Sequence, residues 1–115
     1  MKLLFTVPLM SVLAAPVMAA ELATGDEITA AISGNTVQGG MSDGTAYSEF
    51  YEVGGLIKAD GYTGAWSIDG DQMCFDYGEG ASCLSVGISG ETVTWVLDGV
   101  ETGTGTIVGG NPNAY

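Results

Sequence analysis

From Asn35 onward the chain is punctuated by dipeptides that tolerate the positive φ of tight turns: Asp43-Gly44, Gly54-Gly55, Asp60-Gly61, Asp69-Gly70, Ser89-Gly90 and Asp98-Gly99. Gly78-Glu79 adds a glycine-first pair, as a type II′ turn asks. Turns spaced this closely leave room only for strands. The runs between them are rich in Thr, Val, Tyr, Trp and Ile, residues that suit a pleated, half-buried surface. The pattern predicts eight strands, near 36–42, 45–53, 56–60, 62–68, 71–77, 80–88, 91–97 and 100–108.

Two-residue loops set a testable register. A loop at Asp69-Gly70 pairs Trp66 with Met73, one at Gly78-Glu79 pairs Met73 with Leu84, and one at Ser89-Gly90 pairs Leu84 with Trp95. One row across four strands is then Trp66, Met73, Leu84 and Trp95, an apolar core or the wall of an apolar pocket. Ser67, Gln72, Thr92 and Thr94 fall on the opposite face. A slip of one residue would turn both indoles to water. The first three strands are less decided, because Tyr47 and Tyr51 compete with Phe50 for the inside.

One segment reads as helix. Thr24 followed three residues later by Glu27 forms a capping box, Ile28, Ala31 and Ile32 share a face, and Gly34 is placed to end the element. The expected fold is all-β: an antiparallel meander of about eight strands closing into a small barrel or a strongly rolled sheet, with one short N-terminal helix over an end or an edge. A two-sheet sandwich is the alternative.

The first twenty residues stand apart from this pattern. MKLLFTVPLMSVLAAPVMAA has one cation, an apolar run and a small-residue end, the layout of a signal peptide; residues 1–19 are expected to be removed, with cleavage after Ala20 as second choice. The run is shorter than the ~20 residues a membrane span needs, and Pro8 and Pro16 interrupt it. Residues 20–115 are then a single domain with a thin core, exported to the periplasm or beyond, where a disulfide helps.

Counting back from Gly78-Glu79 sets Cys74 opposite Cys83 as a non-hydrogen-bonded pair, within disulfide reach. Zinc needs more ligands than these two cysteines supply, and a redox pair has C-x-x-C spacing. The pair reads as a staple.

All 14 acids follow residue 20, against the single cation Lys58, with no Arg and no His. That balance excludes nucleic acid and anionic lipid as partners, since both need clusters of Lys or Arg. It suits a cationic protein partner or an exported protein from a saline habitat. Without His there is no Ser–His or Cys–His nucleophile and no His-based metal site. GTGTIVGG at 103–110 fails the dinucleotide-binding spacing and sits in a β pattern. No cofactor is implied. Asp43, Asp60, Asp69 and Asp98 precede glycine, where Asp serves turn geometry. Asp71 and Glu91 share the inner parity at one end of the sheet, placed to rim a mouth, bind a cation or act as an acid/base pair.

The stretches MSDGTAYSEFYEVGG, GYTGAWSIDGDQMCFDYGEGASC and GTGTIVGGNPN resemble a group of small exported alphaproteobacterial proteins of no established function, over nearly all of the exported chain. Some chains similar to this one carry a dihydrodipicolinate reductase label, an activity that calls for a nucleotide-binding domain and for basic and histidine residues outside this composition. The G-x-W…C pattern is similar, more distantly, to small periplasmic inhibitor-type β-barrels, which implies an architecture and not a target.

Two functional expectations follow. One is a non-enzymatic barrel that binds a protein partner, inhibitor-like, with its acidic surface suited to a cationic protein. The other is a small-ligand carrier or carboxylate-dependent enzyme using the interior, where Tyr47, Tyr51, Tyr62, Trp66, Tyr77 and Trp95 are candidates to line a pocket. A filled interior rejects the second; a hollow one of several hundred Å³ favours it.

Overall fold

The structure, a computed structural model, describes residues 22–115. The expected signal peptide lies outside the described residues. The order of elements is α1 (Gly25–Ile32), β1 (Asn35–Met41), β2 (Ala46–Tyr51), β3 (Leu56–Ala59), β4 (Tyr62–Asp69), β5 (Gln72–Asp76), β6 (Ala81–Ser89), β7 (Thr92–Leu97) and β8 (Val100–Val108). Each strand pairs antiparallel with the next, and β1 pairs with β8, so the meander closes into a barrel. Closure removes the two free edges that a sandwich or rolled sheet of this length would expose.

The β5–β6 register is as the turn chemistry predicts, with Met73 opposite Leu84 and Cys74 opposite Cys83. Two other hairpins differ. Asp69 faces Gln72 and Ser89 faces Thr92, so the loops are Gly70-Asp71 and Gly90-Glu91. In each loop the glycine leads with φ 62°, and neither Asp71 nor Glu91 has positive φ, the pattern of a type II′ turn. A glycine ending one candidate dipeptide also begins the next, and local sequence does not rank the two.

The expected row of Trp66, Met73, Leu84 and Trp95 is therefore replaced. Trp66 lies opposite Phe75, Ile68 opposite Met73, and Trp95 opposite Val86. Moving a loop by one position changes each partner by two residues, which preserves the side each residue faces. All four residues stay inside, Trp66, Met73 and Trp95 being buried and Leu84 packing against the core. The outer face carries Gln38, Ser67, Gln72, Thr92, Thr104 and Thr106, all exposed. At Asp98-Gly99 both residues have positive φ, as an Asp-Gly type I′ turn requires.

The helix forms as expected. Thr24 Oγ1 accepts from the Glu27 N–H, and the Glu27 side chain accepts from the Thr24 N–H. It leads into β1, so it stands at the end of the barrel where the loops at 70–71 and 90–91 also lie. Ile28 and Ile32 are fully buried against the cluster of Val37, Tyr51, Ile57, Met73, Val86 and Val93. Asp71 Oδ1 accepts from the Gly25 N–H at 2.8 Å, where a carboxylate also suits the helix dipole. A Cβ on Gly25 would collide with the Gly70 carbonyl oxygen, so this close approach needs glycine. Before the helix, Leu22 bridges Gly87 and the Ala23 N–H donates to the Val86 carbonyl at 2.7 Å. The helix plugs this end.

At the C-terminus, residues 109–115 fold back over the outside of the first strands. Thr36 Oγ1 donates to the Gly110 carbonyl at 2.7 Å, and Asn113 Nδ2 donates to Ser48 Oγ at 3.3 Å. Among the described residues no helix is long and apolar enough to cross a membrane.

Candidate functional site, an open tyrosine-lined cavity

With α1 filling one end, the opposite end is framed by the loops at 42–45, 60–61, 77–80 and 98–99. A cavity of about 880 Å³ opens there. Its wall includes Tyr47, Glu49 and Tyr51 from β2, Tyr62 and Thr63 from β4, Phe75 from β5, Ser82 and Leu84 from β6, and Trp95 from β7, with Tyr77 and Glu79 at the rim. An eight-stranded barrel is just wide enough to be filled by its own side chains or to hold one small ligand. This one does both, half by half: isoleucines, valines and Met73 fill the helix end, and aromatic rings stand around space at the other.

Interior glycines help make that space usable. A Cβ on Gly105 would strike the Tyr47 hydroxyl and Val37, and one on Gly64 would lie 2.7 Å from the Tyr77 ring. Each glycine leaves room for a tyrosine side chain inside the barrel, the small-against-large arrangement of small barrels.

Tyr47, Glu49 and Tyr51 alternate inward, and Phe50 faces away. The β2 choice left open by the sequence is thus settled for the tyrosines, and it brings a carboxylate inside with them. Glu49 is 5% exposed. Its Oε1 accepts from the Tyr51 hydroxyl at 2.6 Å and from Tyr77 at 2.9 Å; its Oε2 accepts from Tyr62 at 2.6 Å and from Tyr77 at 3.0 Å. Phenol donors thus replace the water that a carboxylate loses on burial. Lys58 is the only cation among the described residues, and it pairs with Glu52 at 3.0 Å. Among the described residues no side-chain cation stands against Glu49.

The same geometry acts on the phenols. Burial first, and then the Glu49 charge, pushes Tyr51 and Tyr77 well above the usual tyrosine range. Tyr62 is raised by burial and by its hydrogen bond to Glu49. Burial raises Tyr47 too, partly offset by the Trp95 hydrogen bond. All four hold their protons near neutrality, so they serve as donors and as ring surfaces, not as acids. The Tyr47 hydroxyl donates to the Thr104 carbonyl at 2.8 Å and accepts from Trp95 Nε1 at 2.7 Å.

Of the six aromatics expected at a pocket, five line the cavity and Trp66 does not. Trp66 packs edge-on to Tyr51, and its Nε1 donates to the Glu52 carbonyl at 2.9 Å. Leu84 and Trp95 line the cavity, while Met73 is core. Asp71 and Glu91 are exposed residues of the two type II′ loops, at the end the helix plugs and away from the open mouth. Asp71 anchors the helix, and the Glu91 carbonyl accepts from the Ile107 N–H at 2.7 Å. Among the described residues no group of three or more His, Cys, Asp or Glu is placed to hold a metal ion. Cys74 and Cys83 form the disulfide, Cα atoms 3.9 Å apart. The GTGTIVGG segment is β8 and its exit, a strand and not a phosphate loop.

Glu49 is the residue that sequence reasoning missed. Its signal was parity: any register that buries Tyr47 and Tyr51 buries the residue between them.

Fold and site together define a closed, meander-order, disulfide-stapled barrel with one plugged end and one open aromatic end. Compared with known proteins, the chain matches no family model, and no curated protein or solved structure is significantly similar to it.

Proposed function

We propose that this chain is an exported, non-enzymatic binding barrel that takes a small, partly apolar ligand through its open end. The observation that carries this reading is the 880 Å³ cavity, walled by aromatic rings and backed by a helix that seals the far end. Its size falls within the range of small-molecule sites, and a few polar groups converge within an apolar wall. The disulfide and the absence of a spanning helix among the described residues fit an exported protein. Against catalysis, the phenols are raised far from useful acidity, and both Glu49 oxygens are engaged by them. Titration with the neutral fluorophore N-phenyl-1-naphthylamine tests the reading. A saturable emission increase with one site per chain is expected, with quenching of Trp95; emission that never saturates rejects the cavity as a binding site.

A second reading, an inhibitor-like module for a cationic protein, is favoured by a different feature. Leu97 and Val100, 44% and 63% exposed, flank the Asp98-Gly99 turn at the open end of an acidic molecule. An apolar tip within an acidic field suits a basic protein surface. Unchanged lysozyme activity in the presence of excess barrel at low salt counts against that target.

A further inference from the structure

We infer that the ligand of this cavity is an organic ammonium ion, with Glu49 as its charge anchor. The inference rests on the small-ligand reading above and narrows it to a chemical class. The argument begins with charge. Glu49 is buried, lines the cavity and faces no side-chain cation among the described residues, where Lys58 is engaged by Glu52. Its hydrogen bonds come from neutral phenols, which replace its hydration but leave its charge uncompensated. A cation entering the cavity supplies the compensation, in a setting where screening by water is weak.

Proton accounting points the same way. Tyr51, Tyr62 and Tyr77 spend their hydroxyl hydrogens on Glu49, Tyr47 spends its own on Thr104, and Trp95 donates to Tyr47. These groups turn only acceptor lone pairs and ring faces toward a ligand. An anion or a carbonyl-rich ligand finds no free donor among them, and the other side-chain donors of the wall are the neutral hydroxyls of Thr45, Thr63 and Ser82, which bring no positive charge. An ammonium head finds acceptors, a carboxylate and π faces, the combination that favours cations, methylated ones included. Tyr62 and Tyr77, with ring centroids 6.0 Å apart and each about half exposed, stand where such a head would enter.

Isothermal titration with choline and with its neutral carbon analogue 3,3-dimethyl-1-butanol tests this directly on the exported protein. Choline is expected to bind at least about tenfold tighter, because the two differ only in the charge. Glu49→Gln should lower choline affinity about tenfold more than it lowers N-phenyl-1-naphthylamine affinity, a loss selective for the charged ligand. Asp69→Asn, the same charge change on the exposed surface of the plugged end, should leave choline affinity within about twofold. Choline binding no tighter than the alcohol overturns the inference, and needs no variant to show it. If the neutral fluorophore still saturates in that case, the cavity reading stands and only the ligand class falls. If the fluorophore, choline and the alcohol all fail to bind, the cavity reading falls with it.

Discussion

At Glu49 a carboxylate has left water for a site where three phenols donate to it at 2.6 to 3.0 Å. The cluster makes stability depend on pH through the phenols. A tyrosine whose folded pKa lies above its ordinary value of 10.0 keeps its proton in the barrel after the unfolded chain has lost it. Its stabilisation is therefore complete below pH 10 and declines as pH rises beyond it. The phenolate absorbance of Tyr51, Tyr62 and Tyr77 should rise late, together with loss of near-ultraviolet circular dichroism; absorbance worth all three phenolates while the dichroism persists would contradict the buried cluster. Tyr51→Phe removes one donor from a carboxylate that is almost wholly buried, and should cost about 1–3 kcal/mol in urea unfolding. The sequence makes Glu49 visible only after the strand's facing is known, because a glutamate in a strand is by default a solvent residue.

Two elements close the barrel's ends of weakness, one covalent and one not. The Cys74–Cys83 bridge joins β5 to β6 beside the 77–80 loop. Breaking it in a Cys74→Ser, Cys83→Ser double variant should cost ~2.7 kcal/mol, the chain-entropy value for so short a loop, read as a lowered urea midpoint with little change in slope. The helix is held by two buried isoleucines and by the Asp71 carboxylate at its first turn. Asp71→Ala should therefore destabilise by about 1 kcal/mol, measured by thermal unfolding, and leave the open cavity intact. No loss of stability would show that the isoleucines alone seat the helix. Both elements are legible as elements in the sequence, the staple from turn counting and the helix from its capping box. The role of Asp71 was not, because its partner lies 46 residues away.

Across the whole molecule, the charge is −12 in a chain whose described part holds one cation. Like charges over so small a surface repel, and salt screens them. The unfolding temperature should rise as sodium chloride is added from low ionic strength, before specific ion effects enter. A temperature that is flat or falls with salt would mean that self-repulsion is not the dominant surface term.

Sequence by itself determined the strand count, the meander order, the capped helix, the disulfide and the inward facing of Trp66 and Trp95, because turn residues and period-two alternation are local properties; it left Tyr47 and Tyr51 against Phe50 undecided. It did not choose between Asp69-Gly70 and Gly70-Asp71, since either loop keeps the same faces inside. Tertiary structure alone decided that β1 closes on β8, that the helix fills one end, and that the other end stays hollow. Those outcomes depend on the fit of isoleucines, interior glycines and tyrosine rings across strands far apart in the chain. The same closure carried Glu49 inward with Tyr47 and Tyr51, and turned three separate tyrosines into its solvent.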